Sequence, residues 1–259
     1  MNKNKSIAVF DSGVGGLTVY EKLKTILPNE NYIYFGDLKN SPYGQKSKAQ
    51  LIEITSNIFN YFKSRDVKAV VMACNTTSAN VYEEFKNSFD FKIYPIIQTC
   101  AKVISELPIK RLGVFATSAT ISSGAYKREI NKHNENIEVF EMACPGWVQI
   151  VEENKQDDKK SIQLVKEVLE RMFENNPDKI ILGCTHYPFL LDVLSKFAPK
   201  EIFIDPSEFF AQYIKSDLET LDLLNSDGGS EEFFVSANPK EFKNAAKMFY
   251  ELEKEPNLI

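Results

Sequence analysis

The chain has 259 residues and a formal net charge of −5, a length that allows one large domain or two modest ones with a core each. Its apolar, charged, Gly and Pro fractions are those of a globular protein, which excludes disordered and fibrous classes. The lysines are scattered along amphipathic stretches rather than gathered with aromatic residues into a basic stripe, so no nucleic-acid partner is expected.

No run approaches the roughly 20 apolar residues that cross a bilayer, and MNKNKSIAVFDSG passes from a short polar lead directly into a strand-like run. The expected compartment is the cytoplasm, with no membrane partner. Cys74, Cys100, Cys144 and Cys184 lie far apart with no CxxC pair. That spacing argues against a disulfide framework or a zinc knuckle and predicts free thiols.

Short β-branched runs alternate with longer helical patterns, the signature of βαβ units and a mainly parallel sheet. Strands are predicted over 6–10, 32–35, 69–73, 92–96, 111–116, 137–142, 179–183 and 202–205, with helices between them such as 17–27, 48–63 and 161–174. After Asp205 an FFVSA strand and a final helix are expected to return to the first half.

The halves repeat weakly. IAVFDS at 7 aligns with LGVFAT at 112 and YIYFGD at 32 with IEVFEM at 137, both at one offset. VVMACNT, ending at Thr76, and IILGCTH, ending at His186, repeat a strand, a small residue and a cysteine at a slightly larger offset. Convergent βαβ texture produces such likeness by chance, but duplicated domains account for all three pairs. The predicted fold is α/β, with two similar doubly wound domains of mainly parallel sheets facing each other across a cleft. Residues 1–98 plus 209–259 form one domain, carrying Cys74, and residues 99–208 the other, carrying Cys184. Open α/β sheets bind ligands at the carboxyl ends of their strands, so facing domains put one thiol on each wall.

DSGVGG at 11–16 follows a strand and precedes a helix, where backbone N–H groups can cradle an anion. Thr18 stands where the dinucleotide fingerprint needs glycine and the P-loop lysine is missing, so a carboxylate fits better than NAD or ATP. The same residues also read as a tight turn with Asp11 as a cap. Gly36-Asp37 and Ser41-Pro42-Tyr43-Gly44 are turn chemistry that can also line a polar pocket. Cys74-Asn75-Thr76-Thr77 sets a thiol at a strand end and helix start, a position that favours thiolate, and Gly183-Cys184-Thr185-His186-Tyr187-Pro188 repeats it.

Inverting an amino-acid α-carbon means taking a proton from one face and returning one to the other, which needs two acid/base groups on opposite walls. A thiol of pKa about 8.5 lies close enough to neutrality for one member to be thiolate and the other thiol. Asp11 and His186 are candidates to hold or relay protons. Glu152 is a candidate too, with Glu153 beside it as a competitor, while His133 reads as a surface residue. A Cys-His hydrolase built on Cys184 and His186 leaves Cys74 idle, a metal site lacks ligands, and a non-catalytic amino-acid binder needs neither thiol.

These motifs together resemble the glutamate racemases of the aspartate/glutamate racemase family: AVFDSGVGGLTV, the GD…PYG loop, ACNTTSA and GCTHYP stand in the family's order across nearly the whole chain. The related aspartate racemases also use two cysteines, and the DSGxGG and CTHYP wording points to glutamate. The resemblance implies cofactor-independent interconversion of L- and D-glutamate for peptidoglycan, without metal, and a homodimer in many members. It implies Cys74 as the acid/base group for the D enantiomer and Cys184 for the L. Asp11, Ser12, Tyr43, Gly44, Asn75, Thr76, Thr185 and His186 would contact substrate, Asp11, Glu152 and His186 would assist proton transfer, and Thr117-Ser118 would meet the cleft. Two departures stand out: Asn40 where the family's loop commonly has arginine, and Gln149 where a proline is often found.

Overall fold

The computed structural model of the chain describes residues 2–259. Its strands are β1 (Ile7–Asp11), β2 (Tyr32–Gly36), β3 (Ala69–Met72), β4 (Lys92–Pro95), β5 (Arg111–Ala116), β6 (Glu138–Ala143), β7 (Lys179–Gly183), β8 (Phe203–Ile204), β9 (Glu231–Val235) and β10 (Asn257–Leu258). The helices are α1 (Leu17–Ile26), α2 (Lys48–Ser64), α3 (Asn75–Phe85), α4 (Ile96–Ile104), α5 (Ser118–Ser123), α6 (Ala125–His133), α7 (Trp147–Glu152), α8 (Lys159–Phe173), α9 (Leu191–Leu194), α10 (Pro206–Thr220) and α11 (Pro239–Ala246).

Two sheets form. The first runs β10-β9-β2-β1-β3-β4 and the second β6-β5-β7-β8, with parallel pairing throughout the described residues. The order β2-β1-β3-β4 is the order β6-β5-β7-β8 four strands later, so the sequence repeat corresponds to a repeat of topology. In each sheet the winding reverses between the first and third strands of the unit, the switch point where open parallel sheets leave a crevice. Asp11 ends β1 and Cys74 lies two residues past the end of β3, the strands flanking one crevice; Ala116 ends β5 and Cys184 directly follows β7, the strands flanking the other.

The first sheet alternates between two cores. Ile7 and Val9 of β1, with Tyr32 and Tyr34 of β2, face one core, while Ala8 and Phe10, with Ile33 and Phe35, face the other. Burial on both faces explains why these strands read as continuous apolar runs. Phe59 and Phe62 of α2 pack on Phe10, with ring centroids at 5.6 and 6.3 Å, and burying each such side chain contributes roughly 1.5–3 kcal/mol. On the opposite face, α1, α4 and α10 contribute Leu23, Ile97, Phe210 and Ile214 to a core that continues into the second sheet through Leu112, Val114 and Ile181.

Local chemistry fixes the helix starts. Ser47 and Gln50 form a reciprocal capping box at α2, Thr117 accepts from the Thr120 N–H at α5, and Asp205 caps α10 just before Pro206. Pro188 opens a short 3₁₀ turn (Tyr187–Leu190) rather than a full helix, with α9 following it. The strand expected at FFVSA lies two residues earlier, over Glu231–Val235, and pairs with β2.

Candidate active site

The carboxyl ends of both sheets open onto one cleft of about 160 Å³. Asp11, Ser12, Tyr43, Gly44, Cys74, Asn75, Thr76, Glu152, Cys184, Thr185 and His186, each singled out from the sequence, line it together with Thr117 and Ser118.

The first wall starts at Asp11, the last residue of β1. Its carboxylate does not cap α1; Oδ1 accepts the Gly13 N–H at 3.1 Å and Oδ2 is buried without a protein partner. Burial raises the proton affinity of this carboxyl, partly offset by the nearby His186. The glycines after it are demanded by close packing. A Cβ on Gly15 would stand 2.5 Å from Thr185 Oγ1 and from the His186 ring, and one on Gly16 would stand 2.4 Å from Asp11 Cβ. The DSGVGG turn therefore sits directly against the second wall.

Tyr43 is brought in by the loop after β2, where its hydroxyl donates to Asp37 Oδ2 at 2.6 Å. Burial, then the Asp37 carboxylate, keeps the phenol protonated. Asn40 donates to both Asp37 oxygens and Ser236 to Oδ1, so the loop that lacks the family's arginine is tied down through Asp37.

Cys74 is the N-cap of α3, where Thr77 Oγ1 donates to its carbonyl. The helix start was expected to favour thiolate. Instead burial, followed by the charge of Asp11, pushes this thiol up to about 12, and the backbone N–H groups of Thr77 and Thr76 only partly offset that. Cys74 is a thiol at neutral pH.

Cys184 follows β7 and has a different neighbour. His186 Nδ1 lies 3.8 Å from its Sγ, and His186 Nε2 lies 3.1 Å from Oε1 of Glu152, the last residue of α7. Burial alone would lower the imidazole, but the contacts with Cys184 and Glu152 outweigh it and raise His186 to about 10. The ring is therefore an imidazolium at neutral pH. Glu153 turns away to Lys155, so Glu152 is the member of the pair at the site.

Sequence reasoning gave no role to Cys144, which also lines the cleft through the turn at Gly146, a glycine with φ of 86°. His133 ends α6 and does not line the cleft. Among the described residues no helix is long and apolar enough to cross a membrane.

The family model of the Asp/Glu/Hydantoin racemases matches residues 7–214. The chain belongs to that family. Among curated racemases it is 37% identical over 248 residues to the glutamate racemase of Thermoanaerobacter pseudethanolicus, covering 95% of this chain and 93% of that one. Its structure is similar to that of the Francisella tularensis glutamate racemase in complex with D-glutamate, with a TM-score of 0.92 at 34% identity, over 99% of this chain and 98% of the other. The Thermus thermophilus glutamate racemase in complex with β-chloro-D-alanine superposes with a TM-score of 0.89 at 31% identity, over 100% and 98%. The chain is an amino-acid racemase with the two-sheet α/β fold of these structures.

Proposed function

We propose that this racemase interconverts L- and D-glutamate without a cofactor, one thiol removing the α-proton from one face while the other delivers a proton to the opposite face. One observation carries the reading: Cys74 follows a strand of the first sheet, Cys184 follows the equivalent strand of the second, and both line the same cleft. The similarity to glutamate racemases over nearly the full chain supports glutamate as the substrate.

The carboxylate of glutamate meets the Asn75 amide and the hydroxyls of Thr76 and Thr185, which hold negative charge as it spreads from the α-carbon into that group. The substrate ammonium approaches the unpartnered Oδ2 of Asp11. Cys184 serves the L enantiomer and exchanges protons through His186, while Cys74, a protonated thiol, donates to the D face. Reversing the substrate reverses the roles.

The chain Cys184, His186, Glu152 also has the order of a nucleophile, base and orienting group. A hydrolase needs only one thiol and leaves Cys74, on the facing wall of the same cleft, without a task. The same reading takes residues 1–98 plus 209–259 as one domain and 99–208 as the other. It gives a cytoplasmic homodimer that supplies D-glutamate to peptidoglycan.

The test is polarimetry on purified protein with L- or D-glutamate and no pyridoxal phosphate. Both solutions are expected to converge on zero rotation. Unchanged rotation overturns the reading, and faster conversion of aspartate reassigns the substrate.

A further inference from the structure

Asn75 lines the cleft immediately after Cys74, is 3% exposed, and holds an amide nitrogen with no protein partner. Its other amide atom is occupied: the hydroxyl of Tyr126 donates to Oδ1 at 2.7 Å. Tyr126 is fully buried on α6, which follows the second sheet's first strand, so this bond crosses from one sheet's elements to the loop of the other. The ring has a second contact. A Cβ on Gly183, the residue before Cys184, would stand 2.9 Å from Tyr126 Cε2, so the ring edge lies against the second thiol's loop.

We infer that Tyr126 is a positioning residue for substrate: it bridges the two thiol-bearing loops and fixes the Asn75 amide so that its N–H groups remain for an anion in the cleft. The inference rests on the glutamate reading above and deepens it.

The physical reason is the asymmetry of the two groups. An amide can present either its oxygen or its nitrogen to a ligand, and only the nitrogen attracts a carboxylate. A phenol that donates to Oδ1 satisfies its own buried hydrogen and at the same time selects the productive orientation. Without the hydroxyl, Oδ1 loses its partner and the amide is free to turn that oxygen toward the anion.

Tyr126→Phe keeps the ring against Gly183 and removes only the hydroxyl. The KM for L- and D-glutamate is expected to rise about tenfold, as the loss of one buried hydrogen bond allows, with kcat changed less than about threefold, the pattern of weakened uniform binding. In an Asn75→Ala background the same substitution is expected to change KM less than about twofold, because the group it orients is gone. A role in packing alone would leave its effect intact in that background. Melting temperatures check folding, and Tyr126→Met, an adaptable apolar filler, replaces Phe if that variant does not fold.

An unchanged KM in Tyr126→Phe, or a tenfold effect that persists beside Asn75→Ala, overturns this inference while wild-type racemisation stands. A wild type that does not racemise glutamate overturns the function reading itself.

Discussion

Glu152 Oε1 lies 3.1 Å from Nε2 of His186, whose other nitrogen faces Cys184. The ring thereby joins a buried thiol to a carboxylate that is half exposed, whereas the charged group that acts on Cys74 is the buried Asp11.

Glu152→Gln removes one of the causes that raise His186. Activity that needs the imidazolium is lost as pH rises through about 10, and this alkaline limb is expected to move to lower pH in the variant. At neutral pH kcat/KM falls about tenfold, a modest share of what acid/base assistance contributes. It must fall equally in both directions, because the enantiomers are isoenergetic. A pH profile of kcat/KM checks the shift, and a profile superimposable on the wild type's would mean that Glu152 does not govern His186.

Gly15→Ala tests the contact between the two walls. The added methyl would stand 2.5 Å from Thr185 Oγ1 and the His186 ring, and His186 is held on its far side by Glu152. Displacing these groups by about 1 Å costs on the order of a hundredfold in kcat/KM. Initial rates with each enantiomer measure it, alongside thermal melting to show that the fold survives.

Away from the cleft, Lys68 and Glu30 form an ion pair with both side chains at most 1% exposed. Lys68 Nζ donates to Glu30, to the Lys3 carbonyl and to the Leu223 carbonyl, while Glu30 also accepts the Asn225 N–H. The cluster staples the amino terminus and the segment after α10 to the base of β3. Lys68→Met leaves a buried carboxylate unpaired and is expected to destabilise by about 3–5 kcal/mol, whereas adding Glu30→Leu recovers part of that loss. Urea unfolding at neutral pH reads both, and a double variant no more stable than the single one would contradict the pairing.

The sequence made the strands legible because they are buried on both faces and so read as apolar runs. β5 and β7 fall over the predicted 111–116 and 179–183, while β1 and β6 lie one residue later than expected. β10, two residues at a sheet edge, is too short to carry a pattern. Cys74 and Cys184 were visible because each stands just past the end of a strand and is followed by hydrogen-bonding residues. The proton affinity of Cys74 was not, since burial is a tertiary property that overrides the helix-start effect. Tyr126 was equally hidden: its hydrogen bond spans 51 residues, and nothing beside it in the chain marks a site. The choice of Glu152 over Glu153 depended on which of two neighbours the end of α7 turns toward His186.

The most direct measurement follows hydrogen at the α-carbon. L-Glutamate is incubated with the purified protein in D₂O, the reaction is stopped early, and the enantiomers are separated for mass analysis. If Cys184 removes the proton and Cys74, whose S–H exchanges with solvent, supplies the new one, the D-glutamate formed carries deuterium while the recovered L-glutamate stays largely unlabelled. D-glutamate that retains the substrate's own hydrogen would mean a single group serving both faces, and would contradict the account.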